Sequence, residues 1–171
     1  MNRIDLFNEV KGWLEAEKLR FTPDTDDTDF ELRMNLESGL VPVRIICEED
    51  PASLQIICTV PVKVPAEKFA EAALYLHNLN AALRIGSFQF QTDSRMISFR
   101  LPLPIHPEAD LGRQIGAGFG TALNTMDDHL PSLALVLCNT DKARDGVARF
   151  QPAAKKKPAA KKPSGPRFDL N

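Results

Sequence analysis

The side chains able to make or break bonds are few and scattered. Three histidines, His77, His106 and His129, fall in different stretches of the chain, and none has a serine, cysteine or carboxylate at the spacing that marks a nucleophile and its base. Three cysteines, Cys47, Cys58 and Cys138, make no C-x-x-C and no Cys/His set at ligand spacing, so zinc is not expected. The run Asp24-Thr25-Asp26-Asp27-Thr28-Asp29 gathers carboxylates as a calcium loop would. An EF-hand loop opening at Asp24 needs glycine at position 29 and glutamate at position 35, where this chain has Asp29 and Asn35. The run therefore reads as a solvated acidic turn. Gly116-Ala117-Gly118-Phe119-Gly120 invites a phosphate-binding reading, but no G-x-G-x-x-G follows a strand and no Lys-Ser/Thr follows the glycines. Together these absences point away from an enzyme and from any cofactor.

The elements that must position these residues are clearer than the residues' chemistry. Residues 3–20 read as a helix with Phe7, Val10 and Leu14 on one stripe, flanked by Leu6 and Trp13, and Thr22-Pro23 ends it. Phe30, Leu32, Met34 and Leu36 alternate with Glu31, Arg33, Asn35 and Glu37, the signature of a half-buried strand. Ser38-Gly39 turns into a strand from Val41 to Glu48, and Leu54 to Val60 makes a third. If Asp50-Pro51 is the connecting turn, Cys47 faces Leu54 and Cys58 faces Val43. The two thiols then lie about 13 Å apart at strand rise, too far for a bridge, and they read as small buried hydrophobes. Ile46 and Ile57 are apolar on the opposite face, leaving a second patch for a partner or helix to cover.

Pro65-Ala66-Glu67 opens a helix that runs to Arg84, with Phe69, Ala73, Leu76, Asn80 and Leu83 on one face. Asn80, the polar member of that stripe, is expected to hydrogen-bond backbone near the helix end. A hairpin follows: Gly86 starts it, Phe88 and Phe90 share a face, Asp93-Ser94-Arg95 turns, and Ile97, Phe99, Leu101 and Leu103 alternate with Ser98, Arg100 and Pro102. Pro102 and Pro104 suggest that this strand finishes near an edge. Residues 30–103 are thus expected to form one continuous up-and-down sheet interrupted by a single helix. Helical signal resumes at Glu108, where Gly112, Gly116 and Gly120 recur every fourth residue and suggest close helix approach. Pro131 is expected to break or kink this helix, leaving Leu133 to Leu137 as a last apolar turn.

Hydrophobic residues make up 43% of the 171 residues, enough for a core in one domain, residues 1–140. No apolar run is long enough to span a membrane, and MNRIDLFNEV carries charges where a signal peptide needs an apolar stretch, so a cytoplasmic location is expected. The net charge of −2 hides an asymmetry. Residues 151–171 hold five lysines, one arginine and one aspartate, net +5, while the remaining residues hold 15 basic and 22 acidic side chains, net −7. The segment QPAAKKKPAAKKPSGP is low in complexity, and residues 141–171 read as a disordered basic tail. Its final Arg167-Phe168-Asp169-Leu170-Asn171 has the form of a short docking motif on a tether.

Leu79-Asn80 at a helix end, Gly86-Ser87-Phe88 opening an aromatic strand, and the acidic turn at Asp93 lie within the stretch Leu76 to Leu103. In this the chain resembles the YbjN family and the wider type III secretion chaperone-like fold, over roughly residues 3–138. The resemblance implies an α+β domain in the order α-β-β-β-α-β-β-α, with a five-stranded antiparallel sheet and helices largely on one side. It also implies homodimers or small binding modules that hold a protein client against apolar patches. The function expected is a non-enzymatic, chaperone-like or regulatory module for a protein partner. Ile46 and Ile57, with the glycine ridge Gly112, Gly116 and Gly120, are its candidate contacts. The alternative is a nucleic-acid-associated protein that neutralises phosphates with Lys155, Lys156, Lys157, Lys161 and Lys162.

Overall fold

Leu6, Phe7, Val10 and Leu14 bury one face of the first helix, α1 (Arg3–Ala16), and Asn2 caps it by accepting the Asp5 N–H at 2.8 Å. The helix stops four residues before the expected boundary. Lys18 takes a left-handed backbone (φ 56°), its N–H bonds the Glu15 carbonyl, and the Leu19 N–H bonds the Leu14 carbonyl. That pair of bonds is a Schellman stop, usually built on glycine. With the helix closed early, Phe21–Pro23 extends as a strand, β1, that the sequence did not announce.

The computed structural model describes residues 1–26 and 28–138. The other strands are β2 (Asp29–Leu36), β3 (Gly39–Glu48), β4 (Ser53–Thr59), β5 (Ser87–Gln91) and β6 (Met96–Pro104), and the later helices are α2 (Phe69–Ala82), led in by a single tight turn, and α3 (Leu111–Cys138). The basic tail, including Lys155, Lys156, Lys157, Lys161, Lys162 and the terminal docking motif, lies outside the described residues.

All strand pairs are antiparallel, and the sheet has six strands, not five, in the order β1-β2-β3-β4-β6-β5. It is not simply up-and-down. The strand after α2 goes to the far edge, and β6 enters beside β4. Composition explains the swap: β6 buries Ile97, Ser98, Phe99 and Leu101, whereas β5 exposes two glutamines, so the more apolar strand takes the inner place. β5 reaches along β6 only as far as Arg100, so Pro102 and Pro104 sit where that side of β6 has no strand neighbour. The β3–β4 register matches the expectation: Cys47 pairs with Leu54 and Val43 with Cys58.

The inner face carries Phe30, Ile45, Ile56 and Leu101 in one row across the sheet, all buried, and packs against the three helices. On α2 the buried residues are Ala72, Tyr75, Leu76 and Leu79 rather than a stripe through Ala73, which is exposed. The helix α3 runs unbroken for 28 residues, about 42 Å, with Pro131 inside it. Proline in a helix interior costs about 3 kcal/mol. Leu130, Leu133, Val136 and Leu137 continue the buried stripe of Ile115, Phe119, Ala122 and Met126, and each contributes about 1.5–3 kcal/mol by burial. The stripe outweighs the proline. Asp127, one turn before Pro131, accepts the Ser38 N–H at 2.8 Å and ties the β2–β3 turn to α3.

Asn80 does what its place in the stripe implies. Its amide nitrogen donates to the Phe88 carbonyl at 2.9 Å and its oxygen accepts the Phe88 N–H at 2.7 Å. The side chain thus occupies both outward backbone groups of an edge residue, as a neighbouring strand would. Asn80→Ala should cost about 2 kcal/mol by stranding this pair, read as a lower urea midpoint with faster amide exchange at Phe88. Unchanged exchange there would contradict the assignment.

Candidate functional site

Three helices on one side leave the other side of the sheet without one among the described residues. The row Thr22–Glu31–Arg44–Ile57–Arg100–Ser87 crosses all six strands on this open face. Beside it runs Asp29–Ile46–Gln55–Pro102. Ile46 and Ile57 are therefore diagonal neighbours at the centre of the face, and both are half-buried.

A frame of polar side chains surrounds them. Arg100 Nε donates to Gln55 Oε1 at 2.9 Å, Gln55 Nε2 donates to Glu48 Oε2 at 3.0 Å, and Ser53 Oγ donates to the same oxygen at 3.1 Å. On the other flank Arg44 forms an ion pair with Asp29. Asp29 is 1% exposed, and its burial pushes the carboxyl above the usual range, while the Arg44 guanidinium pulls it back. The acidic run before it works as a turn. Asp24 accepts the Thr28 hydroxyl at 2.6 Å, the Thr28 N–H at 2.7 Å and the Asp29 N–H at 3.1 Å. These bonds, the Thr28 hydroxyl foremost, hold the Asp24 carboxyl below the ordinary carboxylate range.

Towards β1 the open face dips into a groove of about 850 Å³, lined among others by Arg20, Glu31, Arg33, Leu40, Pro42 and Arg44. The sequence reading missed this groove. Alternation in β2 already puts Glu31 and Arg33 on the wet face, and the β3 pattern does the same for Arg44. What hid the site was β1, because only that strand brings Arg20 alongside.

The glycine ridge divides. A Cβ on Gly112 or Gly116 would meet the Trp13 indole at 3.6–3.7 Å, so these two seat an aromatic ring in the α1–α3 seam. Trp13 also packs edge-on to Phe119, with ring centroids 5.4 Å apart. A Cβ on Gly120 would meet nothing within 4 Å beyond its own helix among the described residues. The tightest approach is at Gly118, where a Cβ would stand 2.6 Å from Leu103 Cδ2, and this brings α3 down onto β6.

The residues with reactive side chains are dispersed. His77 and His106 are exposed, and His129 packs edge-on to Phe88, with burial lowering its pKa. Burial pushes the Cys47 and Cys58 thiols up to about 12, so neither is a thiolate at neutral pH. Among the described residues no three histidine, cysteine or carboxylate side chains group to hold a metal ion. No helix is long and apolar enough to cross a membrane among those residues.

Comparison with known proteins bears on the fold and the family. The chain is similar to E. coli YbjN, whose crystal structure is that of "a putative transcription regulator", at 13% identity over 75% of this chain and 89% of that one, with a TM-score of 0.56. At that identity the likeness shows the fold alone. No curated protein matches the chain. The profile of the YbjN family, described as "Putative bacterial sensory transduction regulator", matches residues 7–135. That match spans most of the chain, which therefore belongs to the YbjN family.

Proposed function

We propose that this protein is a non-enzymatic regulatory module that binds a protein partner on the open face of its sheet. One observation carries the reading: three helices cover one sheet face, while the opposite face keeps two central isoleucines, Ile46 and Ile57, only half-buried inside a polar frame. A β-sheet in water normally presents polar side chains on its free face. Aliphatic side chains ringed by hydrogen-bonding groups match the layout of an interface, with an apolar centre and a polar rim. The regulator description of the family supports the same reading. By its resemblance to the secretion chaperone-like fold, the reading extends to a cytoplasmic homodimer, with Gly120 on a second contact surface. Gly112 and Gly116 support that surface from within by seating Trp13.

Peptides selected on the intact protein from a random display library test the proposal. Ile46→Ser with Ile57→Ser should weaken the selected peptides by roughly tenfold or more, because central apolar contacts dominate such interfaces. Both side chains are half-buried in central strands, so the urea midpoint should fall, but the variant should stay folded without urea and keep its far-ultraviolet circular dichroism. Peptides that bind the variant as well as the wild type would refute the placement.

A further inference from the structure

The open face is unevenly charged, and the unevenness says what kind of segment it takes. Outside residues 151–171 the chain is net −7, yet the groove beside β1 gathers Arg20, Arg33 and Arg44 around a single carboxylate, Glu31. Arg44 is turned to Asp29. The exposed guanidinium groups of Arg20 and Arg33 make no ion pair among the described residues. Phe21 pairs with Leu32, so Arg20 and Arg33 follow at the next positions on either side of the ladder. Like charges facing each other across strands are destabilising unless an anion lies between them.

The backbone at the same place has no strand partner among the described residues. β1 covers β2 only at Phe30, Glu31 and Leu32, so the stretch Arg33–Leu36 is a sheet edge on its outer side. An extended chain added there would turn its side chains alternately to the two faces of the sheet. One set would meet Arg20 and Arg33. The other would lie beside Met34 and Leu36, which are half-buried and part of the apolar core rim.

We infer that this edge and its groove take an extended acidic peptide segment in which carboxylates alternate with aliphatic side chains. The inference rests on the protein-binding reading above and names the partner's chemistry. Leu40 and Pro42 in the groove favour a peptide over a nucleic acid, as does the acidic body, which repels a polyanion.

The test is fluorescence anisotropy on the full chain with three labelled probes: an alternating glutamate–valine peptide, its lysine–valine counterpart, and an oligothymidylate. The acidic peptide should bind about tenfold or more tightly than the basic one, and added salt should weaken it. Arg20→Gln with Arg33→Gln should weaken it about tenfold. Arg20→Glu with Arg33→Glu should reverse the preference towards the lysine–valine peptide, a result that loss of folding cannot produce. Equal binding of the two peptides, no binding of either, unchanged preference in the reversed variant, or tighter binding of the oligothymidylate through the same arginines would each overturn the inference. If both peptides bind alike and both are lost in the Ile46→Ser, Ile57→Ser variant, the binding face stands and only its charge selectivity fails. If the reversed variant switches preference while the isoleucine variant has no effect, the groove stands and the isoleucine centre fails.

Discussion

Gly86→Ala should destabilise the protein by about 3 kcal/mol, within a range of roughly 2–5 kcal/mol. Two independent causes add. The backbone at Gly86 has φ +70°, where an L side chain crowds its own carbonyl at a cost of about 1–2 kcal/mol. A Cβ there would also stand 2.4 Å and 2.8 Å from two ring carbons of Phe99 and 2.9 Å from the Arg100 carbonyl oxygen. Phe99 is fully buried between its neighbours and the carbonyl belongs to β6, so neither can simply swing away. Overpacking of that kind costs about 1–3 kcal/mol. Urea unfolding followed by far-ultraviolet circular dichroism reads the effect as a lower midpoint at unchanged slope. A midpoint at the wild-type value would mean that the start of β5 does not approach β6 as described.

Phe30→Ala should cost about 3–5 kcal/mol. The ring is fully buried, stacks on Phe7 with centroids 4.2 Å apart, and takes the edge of Phe21 at 5.4 Å. It therefore joins α1, β1 and β2 at one point. Removing it leaves a cavity bounded by all three, and β1, held by only three residue pairs, is the element least able to survive the loss. Amide exchange at Phe21 and Thr22 should accelerate more than exchange in β3 or β4. Uniform acceleration across the sheet would show that Phe30 supports the core in general rather than β1 in particular. A loss below about 1 kcal/mol would contradict the packing altogether.

Much of this fold could be read from residue order because its signals are local. The alternation in β2 is visible from Phe30 to Leu36, and the Asp50-Pro51 turn sets the β3–β4 register without reference to anything distant. Asn80 stood out as the polar member of an apolar stripe, and it bonds backbone as its position implied. What escaped was decided by competition. The stop at Lys18 uses a lysine where glycine would have announced it. Pro131 was outvoted by leucines further along the helix. The place of β6 beside β4 depends on which of two strands is the more apolar, a comparison that no short window contains. The groove was hidden for the first of these reasons, since Arg20 reaches it only through β1.

The two ends of the sheet are not equivalent, and this limits how copies of the chain can associate. Stacking molecules edge to edge without limit requires a donor-and-acceptor row at both ends of every unit. At the β5 end, a carboxamide from the preceding helix plugs the socket that the next molecule would use. Backbone pairing at that end is thereby hindered at Phe88, whereas at the other end the outer side of Arg33–Leu36 has no strand neighbour among the described residues. A sheet hindered at one end and open at the other disfavours unlimited edge-to-edge stacking.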